Sequence, residues 1–312
     1  MEQIKKSHTP KVVCFGEILW DVLPDVRKPG GAPMNVAYHL NKLGIAVDLL
    51  SSVGHDQAGN DLIAFLQSGG ISSTLVQRSS VYATSEVLAR ISENHEVTYD
   101  IVKPVAWDQI NYTTEMDKAV SQADAIVFGS LSAREPVTRK TLYSLIESAR
   151  YRVFDVNLRA PHYSDEIIID LLNKADMVKL NLSELLLIVK WLSPAHINNE
   201  VQAVELLFSR FQIQEVLITK GGKGATYYSR QIRYDYPTYA IEVADTIGSG
   251  DAFLAAFLAM KLAGEPLEVI LDYAVAMGAF ITSQSGACPN YSKFDLERFI
   301  WKKKYQDFAS AS

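Results

Sequence analysis

The chain has 312 residues and a formal net charge of −6, with 48% hydrophobic and 21% charged residues. This composition is typical of a globular protein and excludes a disordered or fibrous one. The acidic balance argues against a nucleic-acid partner, which would need a basic face. The longest apolar run, at 252–260, is too short to cross a bilayer, and the N-terminal stretch lacks the pattern of a signal peptide. Two cysteines without a CxxC pair suit a reducing compartment, so we expect a cytoplasmic protein with no membrane association.

The first third of the chain alternates strands with helices and then departs from that pattern. Residues 11–15 and 46–53 are predicted strands, and residues 33–43 and 57–68 are predicted helices that end at Gly44 and Gly69. Residues 85–110 lack a long helix and predict two or three short strands with a turn at Glu93-Asn94. We expect this β excursion to form either a lid over a site or a simple flap.

From about residue 116 to 220, apolar strands again alternate with amphipathic helices. The strands are predicted at 125–128, 152–156, 177–180 and 216–219, and the helices at 137–150, 164–174, 183–192 and 199–211. This pattern predicts a parallel sheet covered by helices on both faces. Ligands of such sheets bind beyond the carboxyl ends of the strands. The polar or small residues at those positions are Gly129-Ser130, Asn157 and Arg159, Asn181 and Glu184, and Thr219-Lys220-Gly221.

The strongest chemical signal is the segment D-T-I-G-S-G-D at 245–251, which precedes a helix that is apolar on nearly every side. Its unpaired backbone N–H groups and the helix dipole predict an anion site. Asp251 would lie in the first helical turn, where it is favoured as a carboxylate and could accept a proton from a hydroxyl held against a phosphate. Asp251 could instead only cap the helix. A cap alone would not need Gly248 and Gly250 on both sides of Ser249.

Several other classes of site are excluded by their missing motifs. The chain has no G-x-x-x-x-G-K-[ST] segment, and Phe253 stands where a dinucleotide-binding fingerprint needs its third glycine. Its six histidines show no metal-ligand spacing, and there is no G-x-S-x-G elbow. These absences argue against Walker-type nucleotide binding, a histidine metal centre and hydrolase chemistry.

Five motifs, in order and spacing, resemble the ribokinase-like (PfkB-type) carbohydrate kinases. They are G-E-I-L-W-D at 16–21, G-G-A-P-M-N-V-A at 30–37, N-L-S-E at 181–184, T-K-G-G-K-G at 219–224 and the segment at 245–251. The resemblance implies an α/β fold, a doubly wound, mainly parallel sheet with helices on both faces and a small β-strand lid. It further implies a kinase domain over residues 11–300, a lid formed by about 22–30 and 85–110, and a C-terminal tail at 301–312.

The resemblance also implies the residues of a phosphoryl-transfer site. Asp251 would be the catalytic base, and the amides of Gly248, Ser249 and Gly250 would form the anion hole for the transferred phosphoryl group. The sugar would be bound by the residues Asp21, Asn35 and Arg159, with Gly30 and Gly31 allowing close approach. Without the resemblance, the glycine pair could equally be an ordinary turn, and Arg159 a surface ion-pair partner.

For the nucleotide, the resemblance implies ATP with Mg²⁺. The implied nucleotide contacts are Asn157, Asn181, Glu184, Thr219, Gly221 and Gly224. Glu184 would hold Mg²⁺ through water, since this ion keeps several waters and binds partly to phosphates. A monovalent cation such as K⁺ would lie near Asp245, Ile247, Ile281, Gln284 and Gly286.

Within this family, the G-E-I-L-W-D-V-L-P segment, D-V-N-L-R at 155–159 and the residues at 97–108 favour a fructokinase. A ribokinase or a 2-keto-3-deoxygluconate kinase remains an alternative, because a few hydrogen bonds decide between sugars. A sugar- or nucleotide-binding sensor without catalysis is the alternative from another class, and the retained Asp251, Gly248 and Gly250 disfavour it. The expected partners are small molecules, a sugar and ATP. The lid strands could also pair with a second copy through an exposed edge, giving a homodimer.

Overall fold

The computed structural model describes residues 9–22, 26–91, 97–193 and 197–310. The strands are β1 (Lys11–Phe15), β2 (Leu19–Val22), β3 (Arg27–Gly30), β4 (Ala46–Gly54), β5 (Val76–Ser79), β6 (Ser85–Ile91), β7 (Val97–Ile101), β8 (Ala125–Gly129), β9 (Arg152–Asp155), β10 (Met177–Asn181), β11 (Glu215–Thr219), β12 (Ala225–Ser229) and β13 (Arg233–Tyr236). The helices are α1 (Ala32–Lys42), α2 (Gln57–Ser68), α3 (Thr114–Gln122), α4 (Pro136–Ile146), α5 (Asp165–Asn173), α6 (Leu182–Leu192), α7 (Glu200–Arg210), α8 (Ser249–Leu262), α9 (Leu267–Thr282) and α10 (Lys293–Ser310).

Nine strands form the central sheet in the order β13-β12-β11-β10-β9-β8-β1-β4-β5. All neighbouring pairs are parallel except those of β12 with β11 and with β13. Successive side chains of a strand point to opposite faces, so Val12 and Cys14 enter one hydrophobic layer, and Val13 and Phe15 the other. Helices α1, α2 and α8–α10 cover the first layer, and α3–α7 cover the second. The predicted doubly wound, mainly parallel sheet is confirmed.

Helix α8 lies in the middle of its layer. Every residue from Asp251 to Ala259 is buried, because α1 and α9 pack on it from both sides. This explains why the helix is apolar around its whole circumference. The packing of α1 and α9 also holds the N-terminus of α8 at the carboxyl end of the central sheet.

A second, four-stranded sheet has the order β3-β2-β6-β7. Strands β2 and β6 are parallel, and the outer strands β3 and β7 pair antiparallel to them. The registers place Leu19, Asp21, Val87 and Ile101 on one face of this small sheet. This sheet is the predicted lid, and the predicted turn at Glu93-Asn94 lies outside the described residues.

Two predicted boundaries differ from the structure. The excursion predicted over 85–110 forms strands only as far as Ile101, and residues 106–109 are a short 3₁₀ helix. Trp107 is fully buried there beneath the guanidinium of Arg134, so this segment packs into the core without pairing as a strand. The tail predicted from residue 301 continues α10 as far as Ser310. In the part of the chain that the structure describes, every helix is too short or too polar to cross a membrane.

Candidate active site

Two adjoining cavities open at the carboxyl end of the central sheet. The larger, of about 480 Å³, is lined by charged and polar groups from both sheets and is called the polar cavity below. The smaller, of about 300 Å³, is lined mainly by apolar groups between β11, α8 and α9 and is called the apolar cavity. The residues Thr219, Thr246 and Gly250 line both. The two cavities therefore meet at the N-terminus of α8.

The turn at residues 245–251 forms this junction. Gly248 is the N-cap of α8 and has a φ of 75°, a left-handed conformation that favours glycine. A Cβ on Gly248 would also collide with Ala287. Asp251 follows in the first turn and is 8% exposed. Its Oδ2 accepts a hydrogen bond of 2.8 Å from Nδ2 of Asn35, so the carboxylate of Asp251 and the amide of Asn35 face the polar cavity together.

Asp245 ties the turn to the loop after α9. Its two carboxylate oxygens accept from the backbone N–H groups of Ile247 and Gly286, each at 3.0 Å. Of the residues predicted for a monovalent cation, the structure thus brings Asp245, Ile247 and Gly286 together. The side chain of Ile281 is buried in the core, and its carbonyl accepts from the N–H of Gln284 at 2.9 Å. These contacts give Asp245 a structural task that needs no ion.

Asp21 and Gly31 form the opposite wall of the polar cavity, and Gly30 packs behind Asp21. Asp21 lies on β2, and a Cβ on Gly30 would collide with its carboxylate. Gly31 has a φ of 108° and precedes α1, which carries Asn35. Burial raises the pKa of Asp21 to about 6, although the nearby positive charge of Arg159 opposes this shift. Arg159 itself is exposed and lines the same cavity.

Glu17 is a cavity residue that was not singled out as a candidate. It is 2% exposed, and its Oε2 has no hydrogen-bond partner among the described residues. Burial raises the pKa of Glu17 to about 7, and the charge of Asp251 adds to the shift. In the sequence it is visible only as one letter of the G-E-I-L-W-D motif, directly after the first strand.

Lys179 and Asp155 form a second group that the sequence left unassigned. Both are buried, and Nζ of Lys179 lies 3.0 Å from each carboxylate oxygen of Asp155. Lys179 lines the polar cavity. The strand sequence M-V-K-L-N does not indicate a role for Lys179, because only the pairing of β9 with β10 brings Asp155 opposite it.

Asn181 and Glu184 form a reciprocal cap at the start of α6. Oδ1 of Asn181 accepts from the N–H of Glu184 at 2.9 Å, and Oε2 of Glu184 accepts from the N–H of Asn181 at 2.8 Å. Oε1 of Glu184 accepts from the N–H of Leu158 at 2.8 Å, which holds the loop that carries Asn157. Asn157 and Asn181 line the polar cavity. Among the described residues, no cluster of three or more His, Cys, Asp or Glu could hold a metal ion.

The remaining predicted residues follow β11. Thr219, Gly221 and Gly224 line the apolar cavity, and a Cβ on Gly224 would collide with the carbonyl of Tyr236. The neighbouring Lys220 pairs with Glu200 at 2.8 Å. The apolar wall behind them contains Tyr239, Ile241, Val243, Phe253 and Val275. An apolar cleft of this size is sufficient for a small ligand.

The sequence and the fold are similar to those of known proteins. A family model described as pfkB family carbohydrate kinase matches residues 9–293. Probable fructokinase-5 of Arabidopsis thaliana is 28% identical over 313 residues, covering 91% of this chain and 94% of the relative. The crystal structure of a fructokinase with bound ATP from Xylella fastidiosa has a TM-score of 0.83 at 22% identity, covering 95% of this chain and 100% of the other. A fructokinase double mutant from Vibrio cholerae O395, in fructose, ADP and potassium ion bound form, has a TM-score of 0.80 at 23% identity, covering 94% and 98%.

Proposed function

Because the chain belongs to the pfkB family of carbohydrate kinases, which transfer a phosphoryl group to a sugar hydroxyl, we propose that its sugar is D-fructose and its product fructose 6-phosphate. One observation supports the proposed location of the reaction. A buried carboxylate, Asp251, lies beside a helix N-terminus at the junction of a polar and an apolar cavity. A sugar in the first cavity and a nucleotide in the second would meet there.

In this proposal Asp251 accepts the proton of the attacking sugar hydroxyl. The hydrogen bond from Asn35 holds the carboxylate in place, which is the positioning that general-base catalysis needs. The backbone N–H groups of Gly248, Ser249 and Gly250 bind the transferred phosphoryl group, since the first N–H groups of a helix lack intrahelical partners and, among the described residues, that of Ser249 donates only to the carbonyl of Thr246, at 3.4 Å. Phosphoryl transfer depends mainly on positioning and charge stabilisation, so this set is sufficient for the chemistry.

The sugar would occupy the polar cavity. Asp21 and Asn35 offer acceptors and a donor for hydroxyls, Gly31 lets the sugar approach the backbone, Gly30 leaves room for the carboxylate of Asp21, and the exposed Arg159 lies at the rim. The names of the curated relatives favour fructose, at 28% identity for the plant fructokinase. Ribose and 2-keto-3-deoxygluconate remain the alternative sugars, since all three present several hydroxyls.

The nucleotide would occupy the apolar cavity, with its phosphates directed to the turn at 245–251. Thr219, Gly221, Gly224, Asn157 and Asn181 are its proposed contacts. Mg²⁺ would be held mainly by the phosphates and water, and Glu184 would contact it through water, because each of its oxygens accepts one backbone hydrogen bond and keeps a further acceptor site. Bound Mg²⁺ would neutralise charge on the phosphates. K⁺ beside Asp245 is a further proposed cofactor, which rate measurements in potassium and in sodium salts would test.

The proposal extends to location and assembly. Both cysteines are free thiols, in keeping with a cytoplasmic enzyme. The outer strands β3 and β7 of the small sheet could pair with those of a second copy, so we propose a homodimer. Light scattering at several protein concentrations would test it, and a monomer throughout would contradict it.

A coupled assay of ADP release tests the function directly. It uses ATP and Mg²⁺ with fructose, ribose, 2-keto-3-deoxygluconate and adenosine as separate acceptors. We expect the highest kcat/KM with fructose. A higher value with another acceptor would replace fructose but keep the kinase site, whereas phosphorylation of none would favour a sensor.

A further inference from the structure

Lys179 occupies a position that is rare for a lysine, inside a central strand between two hydrophobic layers. It is 7% exposed, and its partner Asp155 is 2% exposed. Strands β9 and β10 place the two residues directly opposite each other. Because side chains alternate along a strand, both point to the layer that contains Val153, Met177 and helix α8. The pair is therefore a buried charge cluster beneath the N-terminus of α8.

The ammonium lies directly behind the anion-binding turn. A Cβ built on Gly250 would stand 3.0 Å from Nζ of Lys179, so the glycine lets the ammonium approach the turn without a shift of the lysine side chain. Lys179 lines the polar cavity, and Gly250 lines both cavities. The charge therefore lies where the two cavities meet.

The charge and hydrogen bonding of Lys179 leave it able to bind an anion. Burial alone would lower the pKa of Lys179, but the carboxylates of Asp155 and Asp251 outweigh it and raise the pKa. The group thus stays an ammonium with three N–H donors. Among the described residues its hydrogen bonds go to the two oxygens of Asp155. One N–H is left for a ligand.

We propose that Lys179 is a further catalytic residue, whose free N–H contacts a non-bridging oxygen of the phosphoryl group during its transfer. The inference rests on the proposed placement of the reaction at residues 248–251. In the transfer, the sugar hydroxyl gives its proton to Asp251 and its oxygen forms the new O–P bond. The bond between the γ-phosphorus and the bridging oxygen breaks, and ADP leaves with that electron pair. Lys179 keeps its proton and stabilises the charge on the moving group.

Asp155 is then a positioning residue that holds the ammonium. A purely structural pair would be a poor choice here, because burying two charges is costly and apolar residues of similar size often pack as well or better. The location of the pair beneath a ligand-facing glycine gives it a use that apolar residues could not supply.

The test compares Lys179→Met with the double variant Lys179→Met/Asp155→Asn. The single variant leaves a buried unpaired carboxylate and could misfold, whereas the double variant has no unpaired charge. With MgATP and the acceptor that gives the highest wild-type rate, we expect the double variant to lose about 10²- to 10³-fold in kcat, as when an oxyanion-hole donor is removed. Both KM values should change by less than about threefold, because the contact forms in the transition state.

A matched control removes the ion pair at the other end of the same two strands. Arg152 and Asp176 lie 2.6 Å apart there, far from both cavity linings. Arg152→Met should lower the melting temperature but keep kcat within about twofold of wild type. A second readout is binding of ADP with aluminium fluoride and the sugar, which mimics the transferred group. The double variant should bind this combination at least about tenfold more weakly than wild type, and ADP alone equally well.

Two results would overturn the inference. One is a double variant with kcat within about tenfold of wild type, which would make the pair purely structural. The other is unchanged binding of ADP with aluminium fluoride. Asp251→Asn separates this failure from failure of the proposed function. If Asp251→Asn is inactive while the double variant is active, Lys179 alone is misassigned, whereas an active Asp251→Asn would displace the whole site.

Discussion

The two sheets contribute to the polar cavity in different ways. The central sheet and α8 provide Lys179 and Asp251, each less than a tenth exposed and hydrogen-bonded to a neighbouring element, Lys179 to Asp155 and Asp251 to Asn35. The small sheet provides Asp21, which is only half-buried, among the apolar Leu19, Val87 and Ile101. Side chains held in this way are already positioned for catalysis. A sheet with one apolar face suits binding of the sugar and exclusion of water. Substitutions in the first region should therefore act on kcat, and those in the second on sugar binding.

Asp251→Asn should have the largest effect on the central-sheet side. We expect kcat to fall by about 10²- to 10⁴-fold, because a general base is lost. The asparagine keeps an oxygen that can accept from Asn35, so ADP and sugar should still bind with affinities near those of wild type. Steady-state rates and calorimetric titrations measure the two quantities. More than about a tenth of the wild-type kcat would rule out Asp251 as the base.

Asp21→Ala tests the small-sheet side. A carboxylate that accepts two sugar hydroxyls contributes about 1.5–3 kcal/mol per charged hydrogen bond, so kcat/KM for the sugar should fall about 100-fold or more. KM for ATP should change little. Glu86→Ala is the matched control, because Glu86 is exposed on the same sheet beside Val87. A raised KM for ATP with an unchanged KM for sugar would reverse the assignment of the two cavities.

Glu17→Gln should change stability in a pH-dependent way. Burial raises the pKa of Glu17 from 4.5 to about 7, so the folded chain holds a proton that the unfolded chain releases. Its contribution favours folding fully below about pH 4.5 and is lost as the pH rises through about 7. Glutamine carries no such charge, so the variant should gain up to about 3 kcal/mol over wild type at pH 8.

Urea denaturation at pH 5 and pH 8 measures this difference. The advantage of Glu17→Gln should be small at pH 5 and largest at pH 8. Glu86→Gln serves as the control, since it makes the same substitution at an exposed position. A pH-independent effect of Glu17→Gln would show that Glu17 does not titrate in the folded chain near neutral pH.

The sequence predicted features that depend on neighbouring residues better than features that depend on distant segments. Local signals located α2 correctly, because Asp56 caps its start and Gly69 follows its end. The limit of the small sheet was missed, because Trp107 packs under Arg134 from a distant segment and residues 106–109 form a 3₁₀ helix. Motifs identified Asp251 and Asn35 as site residues, but no motif identified Lys179 or Asp155. Their roles depend on strand register, which no local pattern in either strand reveals.

Closure of the small sheet over the sugar is the subtlest expected effect. An open site would let water take the phosphoryl group, because a base that activates an alcohol can also activate water. We expect amides of β6 and β7 to exchange several-fold more slowly when fructose is bound, and those of β1 and β4 to change less. Hydrogen exchange with mass spectrometry measures this, with ADP alone as the control. Equal protection in both regions at saturating sugar would mean that the small sheet is a fixed wall of the cavity. The two sheets would then differ only in the residues that they contribute to binding and catalysis.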